Sequence, residues 1–205
     1  LLPADDLSDR WGEASAGGAD HQALPLDLPA GWTAADAVPA IVAFFARHFG
    51  QSEFVLAYAN DDIAATAAQI PGLAAEAVPL RIGLNLDRPA REARDRIAAA
   101  VAEVRERGAF LSDLFLRYPH LHRPAPAIGI VETAALENAR PIDGCAITFA
   151  AGDGGVRMVA DTARIGLDQA RELAARIGIF AAGFGTRDDD ALAALPTMSE
   201  EELRG

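Results

Sequence analysis

Hydrophobic and polar positions along this chain follow two periods, and the switches between them mark out the elements. Val38, Ile41, Val42, Phe45 and Phe49 recur at the three-to-four spacing that gathers side chains on one face of a helix. Thr33-Ala34-Ala35-Asp36 just before them has the spacing of a capping box, and Gly50 closes the run. Pro39 has no N–H to give, so the regular helix is expected to start nearer Asp36. Phe54 to Tyr58 is a short, nearly continuous apolar run, as in a strand buried on both faces, and Asn60-Asp61-Asp62 ends it. Val78, Leu80, Ile82, Leu84 and Leu86 then alternate with Arg81, Gly83 and Asn85, the period of two that defines a half-buried strand.

Asp87 reads as the cap of the next helix, with Pro89 in its first turn. That helix carries Ile97, Val101 and Val104 on its apolar side and runs to Gly108, with Glu92–Arg96 and Glu103–Arg107 as i,i+4 pairs. A short helical stretch from Phe110 to Phe115 precedes a Pro-rich break, Pro119 to Pro126. Ile128 to Val131 is strand-like, and the runs Cys145 to Ala150 and Val156 to Ala160 flank Gly152-Asp153-Gly154-Gly155, a hairpin signal. From Asp168 a last helix presents Leu173, Ile177, Phe180 and Phe184. Residues 1–31, with Trp11 as their large apolar anchor, read as a leading segment or linker, 32–194 as one domain and 195–205 as an exit linker. Mixed elements, one hairpin and longer crossovers predict an α/β layered domain with a mixed sheet and helices mainly on one face. No internal repeat of fixed period is present.

Composition narrows the function. The 205 residues carry 18 basic and 30 acidic side chains, a net charge of -12, and every basic one is Arg because the sequence has no Lys. Such a surface repels phosphate backbones and anionic lipid, so no nucleic-acid or membrane partner is expected. At 51% hydrophobic the chain can bury a sound core. One cysteine, no apolar stretch long enough to span a bilayer and no leader-like start place it in the cytoplasm. The first residue is Leu, as expected of a chain cut from a longer one.

Candidate chemistry is sparse. No serine, Ser52 and Ser112 included, sits in a Gly-x-Ser-x-Gly elbow. Cys145 reads as a small buried hydrophobe in a strand rather than a nucleophile. His120 and His122 could turn two imidazoles toward a metal, but no nearby Asp, Glu or Cys completes a shell, and they read as solvated loop residues. His48 near a helix C-terminus reads as structural. The glycines around Asp153 cannot form a phosphate loop, which needs a Lys. Glu132, Glu137 and Asp161 could supply an acid and a base, yet no spacing singles out two of them. Asp188 to Asp190 and Glu200 to Glu202 read as solvated charge runs. No catalytic residue, metal or cofactor is predicted.

Four stretches in order carry a family resemblance. Thr33 to Asn60, with Phe49-Gly50-Gln51 between helix and strand, is the first; Pro71 to Arg81 is similar to an Ile-Gly-x-Phe-Val-Asn-Thr-x-Pro-Leu-Arg motif. Asp87 to Leu114 and Asp143 to Glu202 follow, the latter ending in Leu195-Pro196-Thr197-Met198-Ser199-Glu200-Glu201. Trp11 and Leu24 to Pro29 add to the set. Together they resemble the C-terminal lobe of the condensation domain of nonribosomal peptide synthetases, in the chloramphenicol-acetyltransferase-like family. The resemblance implies a single lobe of that fold, truncated with respect to the whole domain. Condensation in that family depends on a His-His-x-x-x-Asp-Gly motif in the other lobe, and this sequence has no such run. Where the family has Asn-Thr and Phe-Val, this chain has Glu76-Ala77 and Ala74-Ala75. Arg81 keeps the motif arginine, which the family is thought to pair with the Asp of the His motif, and here it must find another carboxylate or solvent.

The resemblance implies a non-catalytic structural or docking module in peptide synthesis and secondary metabolism. Its partners would be an adenylation domain, into which the exit segment leads, and a carrier protein. The alternative is half of a split or excised condensation or acyltransferase domain whose catalytic His comes from another segment.

Overall fold

The computed structural model describes residues 21–111 and 126–198, together with Arg117 and Arg204. Trp11, Ser112, most of the stretch from Phe110 to Phe115, His120, His122 and Glu200 to Glu202 lie outside the described residues. In chain order the elements are β1 (His21–Pro25), α1 (Ala34–Phe49), β2 (Glu53–Asn60), α2 (Asp61–Gln69), β3 (Val78–Gly83), α3 (Ala90–Arg107), β4 (Ile128–Glu132), β5 (Ile147–Gly152), β6 (Gly155–Asp161) and α4 (Leu167–Thr186). Short 3-10 turns lie at Leu136–Asn138 and Leu192–Ala194.

Among the described residues the strands form one six-stranded sheet in the order β1-β6-β5-β4-β2-β3. Its centre, β5, β4 and β2, is parallel, and antiparallel pairs flank it on both sides. Helix α1 lies against both α3 and α4, with α3 over β3 and α4 over β1 and β6, so these three helices share one face of a mixed sheet. That is the predicted layered architecture. Along β3 the period of two is kept: Val78, Leu80 and Ile82 are buried under the helices while Arg81 is exposed. Phenylalanine rings join the layers, Phe44 to Phe180 at 5.7 Å between centroids and Phe45 to Phe149 at 5.8 Å. Burying each ring contributes roughly 2–3 kcal/mol. No helix among the described residues is long and apolar enough to cross a membrane.

Several local expectations are corrected. Helix α1 starts at Ala34 despite Pro39, because the Asp36 carboxylate accepts from both the Thr33 N–H (3.0 Å) and its hydroxyl (2.9 Å). A proline this near the start removes one hydrogen bond, and the cap holds the first turn. At its other end Gly50 takes φ 63°, the left-handed cap that favours glycine. Strand β3 stops at Gly83, three residues before the alternation ends. The segment after Asn60 is not a plain turn but helix α2, capped by the Asn60 side chain accepting from Ile63 N–H at 2.8 Å. Within the leading segment, His21 to Pro25 pairs along β6 as an edge strand.

Asp87 does not cap α3. Its backbone N–H instead closes a turn on the Asn85 side chain, and Pro89 takes the cap position. The orphan amides at the start of α3 are satisfied from a distance: Ala90 N–H donates to the Asp190 carbonyl (2.9 Å) and Arg91 N–H to that of Asp188 (3.1 Å). Asp188 to Asp190 is a solvated run, as expected, and it also meets the start of α3. Asp189 pairs with Arg91, Asp188 with Arg94 at 2.8 Å, and Asp190 with Arg187 at 2.6 Å. Leu192 N–H and Ala193 N–H donate to the carbonyls of Arg88 and Leu86, and Leu192 and Leu195 are buried in the core. Acidic groups suit this place because a helix N-terminus carries partial positive charge. Along α3, Glu92 pairs backwards with Arg88 rather than with Arg96, which donates to the Gly83 carbonyl, while Glu103–Arg107 forms as expected.

Candidate functional site

The parallel strands β2, β4 and β5 end at Asn60, Glu132 and Gly152, and a cleft of about 290 Å³ opens there. The carboxyl ends of parallel strands are where open α/β sheets usually present such crevices. Asn60, Asp61, Asp62, Arg105, Glu132 and Asp153 face it.

Register explains how its floor assembles. Tyr58 lies opposite Ile130, so Glu132, two residues on, falls on the same helix-covered face. The last turn of α3 brings Arg105 over both. The Tyr58 hydroxyl donates to Glu132 Oε2, and Arg105 donates to the same oxygen through Nε (2.9 Å) and Nη2 (2.6 Å). Arg105 Nε also reaches the Tyr58 oxygen at 3.1 Å. The Glu132 side chain is only 10% exposed and Tyr58 is fully buried. Burial, then the hydrogen bond to Glu132, push the Tyr58 phenol well above its ordinary value, while the Glu132 hydrogen bond raises Arg105. A neutral phenol and a committed ion pair fix β2, β4 and α3 to one another. The raised phenol and guanidinium both keep their protons near neutral pH.

Gly152 also lines the cleft. A Cβ there would lie 2.1 Å from the Thr133 carbonyl oxygen, so only glycine lets β5 pass the end of β4. The hairpin predicted around it is present, closed by the Gly152–Gly155 pair.

Arg81 lies elsewhere. On edge strand β3 it points away from the helices and pairs with Glu53 at 3.2 Å, the two side chains 78% and 68% exposed. Such a pair contributes less than about 1 kcal/mol. Cys145 sits in the turn two residues before β5 rather than in the strand; its thiol donates to the Pro126 carbonyl at 3.3 Å and burial pushes it up to about 12. A thiol held protonated is a poor nucleophile. His48 stacks on Phe44, ring centroids 5.2 Å apart, and His21 opens β1. Ser52 lies before β2, where its carbonyl accepts from Leu84. Glu132 and Asp161 end up at opposite ends of the sheet, since Glu132 lies beside Ala151 and Asp161 bonds to Ala146; Glu137 is exposed in a 3-10 turn. Among the described residues no three His, Cys, Asp or Glu side chains gather as metal ligands.

No family model and no curated protein matches the chain in sequence. Solved structures match it in fold. The starter condensation domain of rhizomide synthetase aligns with a TM-score of 0.60 and 14% identity, over 96% of this chain and 53% of that one. The first condensation domain of the CDA synthetase gives 0.61 and 14%, over 90% and 50%. A four-domain nonribosomal peptide synthetase bound to AMP and glycine gives 0.67 and 7%, over 94% and 19%. The chain has the fold of a condensation-domain lobe and spans about half the length of the condensation domains it matches.

Proposed function

We propose that this chain is a non-catalytic condensation-like lobe, a structural and docking module of cytoplasmic nonribosomal peptide synthesis that packs on an adenylation domain and engages carrier protein. The observation that carries this reading is the combination of the lobe fold with a sequence that has no His-His-x-x-x-Asp-Gly run. The titratable groups support it. Tyr58, Glu132 and Arg105 are spent on one another, Cys145 is held protonated, and Arg81 takes its carboxylate from its own lobe, Glu53. Leu195 and Pro196, the start of the exit segment, are anchored on the fold, with the Pro196 ring against Gly183. In the test, the chain is incubated with aminoacyl and peptidyl carrier proteins and titrated with an adenylation domain. No peptide product and saturable binding are expected; turnover that disappears in Glu132→Gln overturns the non-catalytic reading.

The half-length coverage favours one second reading, a lobe completed by a separate segment that supplies the catalytic His. Peptide formation that appears only when such a segment is added would select it.

A further inference from the structure

The longest run of this sequence without a charged side chain is residues 63–75, between Asp62 and Glu76. The next longest, 37–46 and 177–186, belong to α1 and α4 and supply their buried faces. Residues 63–75 do the opposite. Helix α2 buries only Ile63 and Ala67, while Ala64, Ala65 and Ala68 are exposed along its other side. The loop after it brings up larger groups. Ile70, Leu73 and Leu111 are the exposed large hydrophobics among the described residues, at 37%, 56% and 49%. Backbone bonds hold the three at one spot: Leu73 N–H donates to the Ile70 carbonyl (3.0 Å), Ala74 bridges Leu111, and Ala75 N–H donates to the Phe110 carbonyl (2.9 Å). An exposed, contiguous apolar face of this kind marks a contact surface.

Charge and length together choose the occupant. The run has no charge for an ionic partner to read, and two copies of a chain with net charge -12 repel wherever their acidic surfaces meet. Here the like charges, Asp62 and Glu76, stand only at the two ends of the run. The condensation domains that share this fold hold about as much chain again, since this chain covers 53% of one and 50% of another. A second copy supplies that length. We propose that Ala64, Ala65, Ala68, Ile70, Leu73 and Leu111 form a self-association face, on which two copies pair about a two-fold axis. The inference rests on the lobe fold and not on the docking role proposed above. A nine-residue helix and one loop fall short of the ~800 Å² that each partner gives to a stable interface, so the pair is weak and reversible.

The test is analytical ultracentrifugation of the whole chain over a dilution series, with methyl NMR shifts followed over the same series. A monomer–dimer equilibrium with a Kd on the order of 100 μM is expected, and high salt should tighten it several-fold by screening the repulsion between two acidic copies. On concentration the methyl signals of Ala64, Ala65, Ala68 and Ile70 should move. Leu73→Asp should weaken the dimer at least tenfold, and should that variant fail to fold, Ala68→Glu on the exposed side of α2 must do the same. A chain that stays monomeric at every concentration and salt overturns the proposal. So does a dimer that salt breaks, that these variants leave intact, or whose methyl shifts lie elsewhere. Methyl shifts at this face that arise only when an adenylation domain is added would give the face to that partner and overturn the second copy. Dimer formation and adenylation-domain binding are read separately, so either can fail alone.

Discussion

Helix α3 is held at both ends, by opposite means. At its C-terminal end one guanidinium, Arg105, meets one carboxylate that is 10% exposed, with a buried phenol on the same oxygen. At its N-terminal end two of its arginines meet two aspartates in side chains that are 31% to 84% exposed, reinforced by backbone bonds from Ala90 and Arg91. The first anchor has few bonds around a buried carboxylate and phenol, with Arg105 itself 52% exposed; the second has more bonds, all in the open. Desolvation makes the loss of one buried partner costly, because the other is left uncompensated. Solvent screening makes each exposed pair cheap to lose, however many there are.

The contrast can be broken from the buried side first. Glu132→Ala should lower unfolding free energy by about 2 kcal/mol, read from urea denaturation, since it leaves the buried Tyr58 hydroxyl without its acceptor while the half-exposed Arg105 turns to water. A loss below about 1 kcal/mol would make the two anchors alike. Tyr58→Phe keeps the ring and removes one hydrogen bond, so about 1 kcal/mol should go at pH 7. Because the folded state raises the Tyr58 pKa, its contribution is complete below the ordinary value near 10 and fades as pH climbs beyond it. Wild type should lose stability above pH 10 more steeply than Tyr58→Phe, and phenolate absorbance should show Tyr58 ionising only as the chain unfolds.

On the exposed side the effects shrink. Asp188→Ala should cost under about 1 kcal/mol, and molar salt should erase most of it, with faster hydrogen exchange confined to the amides of Ala90 and Arg91. A salt-resistant loss would mean that the strap works through its backbone rather than its charges. Smallest of all, Arg81→Ala should stay within about 0.5 kcal/mol in thermal melts, as expected for an exposed pair on an edge strand.

What the chain's pattern discloses about itself follows from contrast in side-chain size. Helices α1 and α4 present Phe, Ile and Leu against polar neighbours, and the hairpin has glycines on either side of Asp153, so their periods are loud. Helix α2 buries only Ile63 and Ala67, and β1 only Leu24, too little contrast to stand out from a loop. The Asn60 cap followed by two acidic residues was the available signal for α2. The Tyr58–Glu132–Arg105 cluster joins residues 74, 47 and 27 positions apart, which no local spacing encodes. A phenol in an otherwise apolar strand does announce that a distant partner exists, though not which one. The contact of Asp188 and Asp189 with the start of α3 was hidden for the same reason: an exposed charge run does not show which helix end it lies against.

The single thiol has a practical consequence. Cys145 is 4% exposed beside the Pro126 carbonyl and Gly129, in the turn that leads into β5. A small alkylating reagent can reach it only when that part of the sheet opens, so the labelling rate times the opening of β4 from β5 rather than surface reactivity. The chain thus carries its own clock for the sheet on which its strand-end cleft depends.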